Sequence, residues 1–416
     1  MRSSFWNQFL DTGDGDAMRK LEVFKGKRVL MLAGPVGWFF YRFAKDLRSV
    51  GAEVYKINFS GGELFYYPFG AVNYRGKPED FPAFLENFVK EKKIDTVIMF
   101  NDCKEVHRIA KEVLKDRVEF WVFERGYIRP NFITFEKDGI NGFSKIPKDA
   151  EFYRKLNVEP IEFKEVGHES LFHYFHSVVN FLAYVLLWPL FPSSRFFYKN
   201  ILHVVPYYIK MVFFQVFYWL KESKKVKDFV KKFRGKYYFV PLQVHNDSQI
   251  RYHSDYKAIE DFIMDVLVSF SKYAPKDKYL VFKHHPMDLG FKCYKSFINN
   301  AVRQLGLEGR VFYFKNGHVE EFLKGSLGCI TVNSTVGLTA LRMYKPVIVF
   351  GRAVYDVKGM VFDGSLDEFW EKVLDLKVDK ELVDKFINFL IRETQINGSL
   401  YKRAPCKNTH TGACYG

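Results

Sequence analysis

The chain has 416 residues, with 63 Lys and Arg against 48 Asp and Glu for a formal charge of +15, and it is 48% hydrophobic and 18% aromatic. That length is too great for one α/β core and points to two domains, and the apolar content is ample for packed interiors. The basic balance favours anionic partners such as phosphorylated substrates, nucleic acid or an acidic membrane face, while five scattered cysteines without a Cys-x-x-Cys pair argue against a zinc site or a disulfide framework and suit a reducing cytoplasm.

Met1 to Lys20 is polar and has no apolar run of the signal-peptide kind. Lys27–Ala33 reads as a first strand, Gly34-Pro-Val-Gly37 as a tight turn, and Trp38–Val50 as a helix. Gly34 and Gly37 suit either close packing or close approach of backbone to a ligand. The spacing is not Gly-x-Gly-x-x-Gly, so no dinucleotide site is indicated. Glu53–Asn58 is a second strand, followed by a polar loop with Ser60, Gly61 and Gly62. A helix near Pro82–Lys92 precedes the strand Asp95–Phe100, after which Asn101 and Asp102 are placed to cap a helix running to about Lys115. Val118–Phe123 is the next strand and ends in Glu124-Arg-Gly-Tyr-Ile-Arg-Pro130. Glu124 is set either to move a proton in a cleft or to pair with Arg125 or Arg129. Asn131–Ser144 reads as a polar loop carrying Thr134, Glu136, Asp138 and Asn141. The alternation of strand and helix over 27–130 predicts a parallel, doubly wound half.

Residues 151–235 break that alternation. Leu171–Leu220 is rich in Phe, Tyr, Val and Leu and is divided by Pro189 and Pro192. Its apolar stretch Ser177–Phe191 is about 15 residues long, short of the roughly 20 that cross a bilayer. Tyr207–Leu220 is a second amphipathic or buried helix, and Lys221–Lys236 is lysine-rich. An apolar helical pair beside a basic run suits an interfacial membrane contact, or else a helical insert packed between domains.

Alternation resumes with the strand Lys236–Leu242 and the polar run Gln243-Val-His-Asn-Asp-Ser-Gln249. A helix over about Tyr256–Tyr273 leads to Tyr279-Leu-Val-Phe-Lys-His-His-Pro-Met-Asp288, a buried strand stopped by Pro286 that delivers Lys283, two histidines and Asp288 to the sheet's carboxyl edge. Ligands of open α/β sheets bind outside that edge, and a cation with an imidazole there suits an anionic leaving group. A helix near Cys293–Leu305, the strands Arg310–Phe314 and Leu327–Val332, a helix opened by Asn333-Ser-Thr-Val-Gly337 and the strand Pro346–Phe350 follow. Asn333, Ser334 and Thr335 can cap that helix, and free N–H groups there also bind phosphate. Helices near Leu366–Leu376 and Asp379–Arg392 precede a tail, Tyr401–Gly416, expected to be mobile. The domain reading is therefore 1–150, a helical insert 151–235, a second domain 236–390 and a tail 391–416.

Ala33-Gly-Pro with Phe39-Phe40, Phe123-Glu-Arg-Gly-Tyr-Ile-Arg-Pro130, Pro241-Leu-Gln-Val-His-Asn-Asp247, Lys283-His-His-Pro-Met-Asp288 and Asn333-Ser-Thr-Val-Gly337 occur in this order over residues 27 to 355. The set resembles the capsule polysaccharide biosynthesis family of bacterial β-Kdo transferases, and its single unit and Glu-x-Gly-Tyr variant are more similar to the KpsS type than to the KpsC type. The resemblance implies a GT-B-like α/β fold, two Rossmann-like domains facing across a cleft, with an apolar helical insert. It implies transfer of β-Kdo from CMP-Kdo to a phosphatidylglycerol-type lipid at the cytoplasmic face of the inner membrane, alongside other capsule biosynthesis proteins, with no cofactor or metal beyond the donor.

Retention in that family can proceed through two displacements, by analogy with retaining glycosidases. The resemblance implies Asp247 as nucleophile and Glu124 as acid/base. It implies His285 at the CMP phosphate with help from Lys283, and Ser334 and Thr335 at that phosphate or the Kdo carboxylate. Gln243, Pro286 and Asn333 complete the donor side, and Gly34, Pro35, Gly126, Arg129 and Asn141 fall on the acceptor side. The chain departs from the KpsC pattern in having Arg125 where an aspartate follows the glutamate. The rival readings are a transferase using CMP-sialic acid or a UDP-sugar, and a non-catalytic capsule lipid-binding or export component. Basic residues spread along the chain, without a helix-turn-helix or RNA-binding signature, argue against nucleic acid.

Overall fold

The structure, a computed structural model, describes residues 18–167, 169–197, 201–245, 250, 254–289 and 291–416. Strand β1 (Arg28–Met31), helix α1 (Phe39–Ser49), β2 (Glu53–Asn58), α2 (Gly61–Tyr66) and β3 (Val72–Asn73) open the chain. Then come α3 (Phe81–Lys92), β4 (Thr96–Phe100), α4 (Glu105–Val113), β5 (Glu119–Arg125), β6 (Phe132–Lys137), α5 (Ala150–Arg154), α6 (Ser170–Leu186) and α7 (Ile201–Lys232). The later part holds β7 (Tyr237–Pro241), α8 (Ile259–Tyr273), β8 (Tyr279–Lys283), α9 (Lys295–Gln304), β9 (Val311–Phe314) and α10 (Val319–Gly325). It continues with β10 (Ser326–Thr331), α11 (Thr335–Arg342), β11 (Val347–Val349), α12 (Leu366–Lys372), α13 (Lys380–Thr394) and β12 (Gln395–Asn397).

The chain forms two compact α/β units. The first takes the residues up to Ile140 with Ile161–Lys199 and Ile391–Gly416, and the second takes Asn141–Pro160 with Asn200–Leu390. In the first, the sheet order is β12-β6-β5-β4-β1-β2-β3. The pairs from β3 through β1 and β4 to β5 are parallel, and β6 and β12 add antiparallel edges. Successive strand side chains point to opposite faces, so Val29, Met31 and Phe123 pack with Phe39, Phe43 and Phe135 on one side. Leu30, Val97 and Val122 pack with Phe81, Leu85 and Val106 on the other.

Three expectations are corrected in this unit. Residues 131–144 are not simply a loop: they include β6, whose inward polar residues Thr134 and Glu136 are satisfied by Gln395 and Tyr127. Ser60, Gly61 and Gly62 open helix α2 and do not form a loop. The two glycines let α6 approach, since a Cβ on Gly61 would lie 2.4 Å from the Ala183 carbonyl and one on Gly62 2.2 Å from Asn180 Oδ1. The tail 391–416, expected to be mobile over Tyr401–Gly416, is instead part of the first unit. It completes α13, supplies β12, and returns to α1, where the fully buried Asp46 carboxylate accepts from His410 N (2.6 Å), Thr411 N (3.1 Å), Thr411 Oγ1 (2.7 Å) and Tyr415 Oη (3.1 Å). The same reversal brings Cys406 and Cys414 together as a disulfide, which the cysteine spacing did not indicate.

The second unit has a five-stranded parallel sheet in the order β11-β10-β7-β8-β9. Tyr238, Val240, Leu280 and Phe282 face α8, α9 and α12. The opposite face is closed by aromatic contacts, Phe239 stacking on Phe322 at 5.1 Å and Phe229 of α7 lying 4.8 Å from Phe312.

Residues 151–235 do not make a separate insert. α6 belongs to the first unit, held by His176 between Tyr66 and the Tyr401 carbonyl, and α7 belongs to the second. Pro189 and Pro192 end the helical run of α6, as expected for a residue lacking an N–H. Among the described residues, no helix is long and apolar enough to cross a membrane. Each helix nevertheless leaves an apolar stripe in solvent. Leu171, Phe175, Val178, Leu182 and Leu186 recur at helical spacing on α6, the first 80% and the last 76% exposed. Ile209, Val212, Phe213, Val216, Phe217 and Leu220 do the same on α7, ahead of exposed Lys221, Lys224, Lys225, Lys227, Lys231 and Lys232.

Candidate functional site

In a doubly wound sheet the ligand crevice opens at the carboxyl edge, where the chain reverses its direction of strand addition. In the first unit that point lies between β1 and β4, and in the second between β7 and β10. The motif residues gather at the carboxyl edges around both points.

Beside the first point, at the end of β5, stands Glu124. Its carboxylate accepts from Asn101 Nδ2 at 2.9 Å and from the Arg125 amide at 2.8 Å, and it forms no ion pair among the described residues. Asn101 does not cap the following helix. It sits at φ 66°, a conformation Asn tolerates, with its amide bonded to the Phe123 carbonyl at 2.8 Å and its own carbonyl taken by His107 Nδ1. Asp102 is buried and ion-paired with Lys111 at 3.2 Å, so it is not the cap either; Lys104 holds that position without a side-chain bond. The half-buried Lys104 ammonium lies 5.0 Å from the centre of the Phe100 ring. Burial lowers its pKa to about 8 against the opposing pull of Glu63 and Glu124.

Gly34 is occupied by internal contacts. Its N–H donates to Glu63 Oε1 at 3.1 Å, and a Cβ there would lie 2.7 Å from Phe40. Pro35 is half-buried beside it. Glu63 also accepts from Phe59 N (2.8 Å) and Lys56 Nζ (3.2 Å), which fixes the turn to β2. Gly126 is sterically required, since a Cβ would approach the Phe132 carbonyl to 2.0 Å. Its carbonyl accepts from Nε of the exposed Arg129 at 3.0 Å. Arg125 turns to the opposite face from Glu124 and bonds Tyr401 Oη (2.9 Å) and His173 Nε2 (2.8 Å), so neither arginine neutralises Glu124 by direct contact. Asn141, expected on the acceptor side, is the first residue assigned to the second unit.

Around the second point, Gln243 and Asn333 bridge β7 and β10: Gln243 Nε2 donates to Asn333 Oδ1 at 2.9 Å, both residues being buried. Ser334 caps α11, its hydroxyl accepting from Val336 N at 3.2 Å, and Thr335 is half-buried at the helix start. His285 caps the turn that follows β8, its Nδ1 accepting from Met287 N at 3.2 Å, with Pro286 exposed in that turn. Lys283 is only 5% exposed and donates to the His284 carbonyl at 3.1 Å. Burial lowers its pKa to about 8, opposed by Glu222. His284 is buried against Tyr313 Oη at 2.8 Å, and desolvation lowers its pKa to about 4. Asp247 lies outside the described residues.

The sequence reading missed His245. Its Nδ1 donates to Asp288 Oδ1 at 2.6 Å, its backbone N–H donates to Asp288 Oδ2 at 2.8 Å, and its ring stacks on Phe291 with centroids 4.6 Å apart. Asp288 is thus the link between the Gln-Val-His and His-His-Pro motifs. Burial raises its pKa, and the two bonds from His245 oppose that shift. No group of His, Cys, Asp and Glu suited to a metal ion occurs among the described residues.

The family model described as capsule polysaccharide biosynthesis protein matches residues 95–401. The chain is 36% identical to the capsule polysaccharide export protein KpsS of Escherichia coli, over 91% of this chain and 98% of that one. It is 35% identical to the capsule polysaccharide modification protein LipB of Neisseria meningitidis serogroup A, over 92% and 94%. Among solved structures it is similar to Thermosulfurimonas dismutans KpsC, a β-Kdo 2,7 transferase, with 16% identity and a TM-score of 0.45 over 90% of this chain and 93% of that one.

Proposed function

The chain belongs to the capsule polysaccharide biosynthesis family, and from that premise we propose that it is a glycosyltransferase moving β-Kdo from CMP-Kdo to a phosphatidylglycerol-type lipid with retention of configuration. The observation that carries this reading is the gathering of its motifs at the carboxyl ends of the parallel strands of two sheets, where doubly wound folds bind ligands. One edge offers Glu124, held by Asn101 Nδ2 and the Arg125 amide without a direct ion pair among the described residues, for proton transfer to and from the acceptor. The other offers Ser334, Thr335 and the N-terminus of α11 for an anionic donor group. In this mechanism Asp247 attacks the anomeric carbon as CMP departs, and the lipid hydroxyl, deprotonated by Glu124, then displaces Asp247.

The decisive experiment incubates the protein with CMP-Kdo and a fluorescent phosphatidylglycerol analogue and reads the product by mass. One added Kdo supports the proposal. Turnover only with CMP-sialic acid or a UDP-sugar redirects the donor assignment, and no turnover with any of them favours a lipid-binding or export role.

The exposed stripes on α6 and α7, with lysines following the second, support a peripheral position on the anionic inner face of the inner membrane. The protein is expected to cosediment with phosphatidylglycerol vesicles. Burial of a Phe or Leu side chain contributes about 1.5–3 kcal/mol, so Phe213→Glu, Phe217→Glu and Leu220→Glu together should lower vesicle affinity at least about tenfold. An unchanged bound fraction would remove α7 from the contact.

A further inference from the structure

We propose that the imidazole of His245, oriented by Asp288, is a catalytic residue that donates a hydrogen bond from Nε2 to the phosphate oxygen leaving the sugar. The inference rests on the transferase reading above and adds to it a group that none of the motif roles includes.

The geometry is that of a built pair. Asp288 is fully buried, and both its oxygens are engaged by the same residue, one by the ring and one by the backbone of His245. A carboxylate accepting from Nδ1 keeps a proton on that ring nitrogen and leaves Nε2 as the one not taken by Asp288. The ring plane is fixed by Phe291, at 26° to it. Three constraints on one half-exposed side chain exceed what a surface histidine needs for packing. The location matches the chemistry. β7 is the central strand, and the residues just after it reach both neighbours, Gln243 bonding Asn333 after β10 and His245 bonding Asp288 after β8.

In the step itself, the bond between the anomeric carbon and the phosphate oxygen breaks, and its electron pair stays on that oxygen. The carboxylate of Asp247 forms the new bond to carbon. With both ring nitrogens protonated, Nε2–H hydrogen-bonds the oxygen as its charge grows while Nδ1–H stays on Asp288, so no proton need leave the pair. Among the described residues, the charged groups around this pair are Asp288 itself, Lys292 and, through its ion pair with Lys292, Glu260.

The test uses the full-length protein with CMP-Kdo and the lipid acceptor, under single-turnover conditions, with calorimetry for CMP. His245→Ala is expected to lower the transfer rate about 100-fold with the acceptor KM unchanged, and to weaken CMP binding about tenfold. Imidazole in the buffer should restore part of the rate, an effect that lost packing alone would not show. Asp288→Asn should lower the rate as well and gain nothing from imidazole, because the native ring is still present. If His245→Ala stays within threefold of wild type, or His245→Gln is fully active, the inference is overturned while the transferase reading stands. If the wild-type protein itself transfers no Kdo, it is the transferase reading that fails, and this inference with it.

Discussion

Replacing Glu124 by Gln lowers Kdo transfer by about 10²–10⁴-fold, the range expected when a positioned general acid/base is removed, and leaves CMP affinity within twofold of wild type. Glutamine keeps the shape but, with one carbonyl oxygen, keeps only one of the two bonds that Glu124 accepts from Asn101 Nδ2 and the Arg125 N–H, so an unchanged melting temperature is the control for structural damage. The donor contacts proposed here belong to the other sheet, so calorimetry with CMP is the control. Asp247→Asn should abolish turnover to a similar degree with CMP still bound, since an amide is a poor nucleophile. The two variants part on chemical rescue. Azide or formate can replace a missing carboxylate, and the anomer they form reports which face lost its group. Transfer by Glu124→Gln at more than a tenth of the wild-type rate would remove Glu124 from the proton path.

Asp46→Ala lowers the melting temperature of the first unit by roughly 6–20 °C. The carboxylate is buried and takes two backbone N–H groups, a threonine hydroxyl and a tyrosine hydroxyl from residues 410–415. Without it these donors lie in a dry interior, each costing about 1–3 kcal/mol less whatever relaxation recovers. A total near 3–5 kcal/mol is at the upper end for one substitution, and a unit of this size loses about 2–4 °C per kcal/mol. Thr411→Val, which removes one hydroxyl, should cost far less, about 1 kcal/mol. Calorimetric scans of the three proteins decide the matter, and equal melting temperatures for Asp46→Ala and Thr411→Val would show that Asp46 is not the hub of this contact.

The strands were legible because their apolar runs end abruptly in polar residues, as at Phe123-Glu124 and Phe282-Lys283-His284, and both runs are strands in the structure. What escaped the sequence is settled by partners far away along the chain. Thr134 and Glu136 made residues 131–144 look like a loop, and nothing local announces that Gln395, 261 residues on, would satisfy Thr134. Gly61 and Gly62 read as loop residues because glycine is a poor helix former, yet they are needed where α6 crosses. His245 was passed over because its partner, Asp288, lies 43 residues away in another motif. Asn101 looked like a cap from its position, whereas its left-handed backbone turns its side chain to Glu124.

The return of residues 410–415 to Asp46 has a consequence for the order of synthesis. The second unit is complete once Leu390 has been made, whereas the first cannot finish its sheet until β12 is available, or cover Asp46 until Tyr415 is. At about 5–20 residues per second, roughly 10–40 s separate the emergence of Lys199 from that of Tyr415. Through that interval the earlier half waits on the ribosome with an edge of its sheet unpaired and a carboxylate uncovered. The part of the chain translated first is therefore the last to be sealed, and nascent-chain factors have the longest access to the end that carries Glu124.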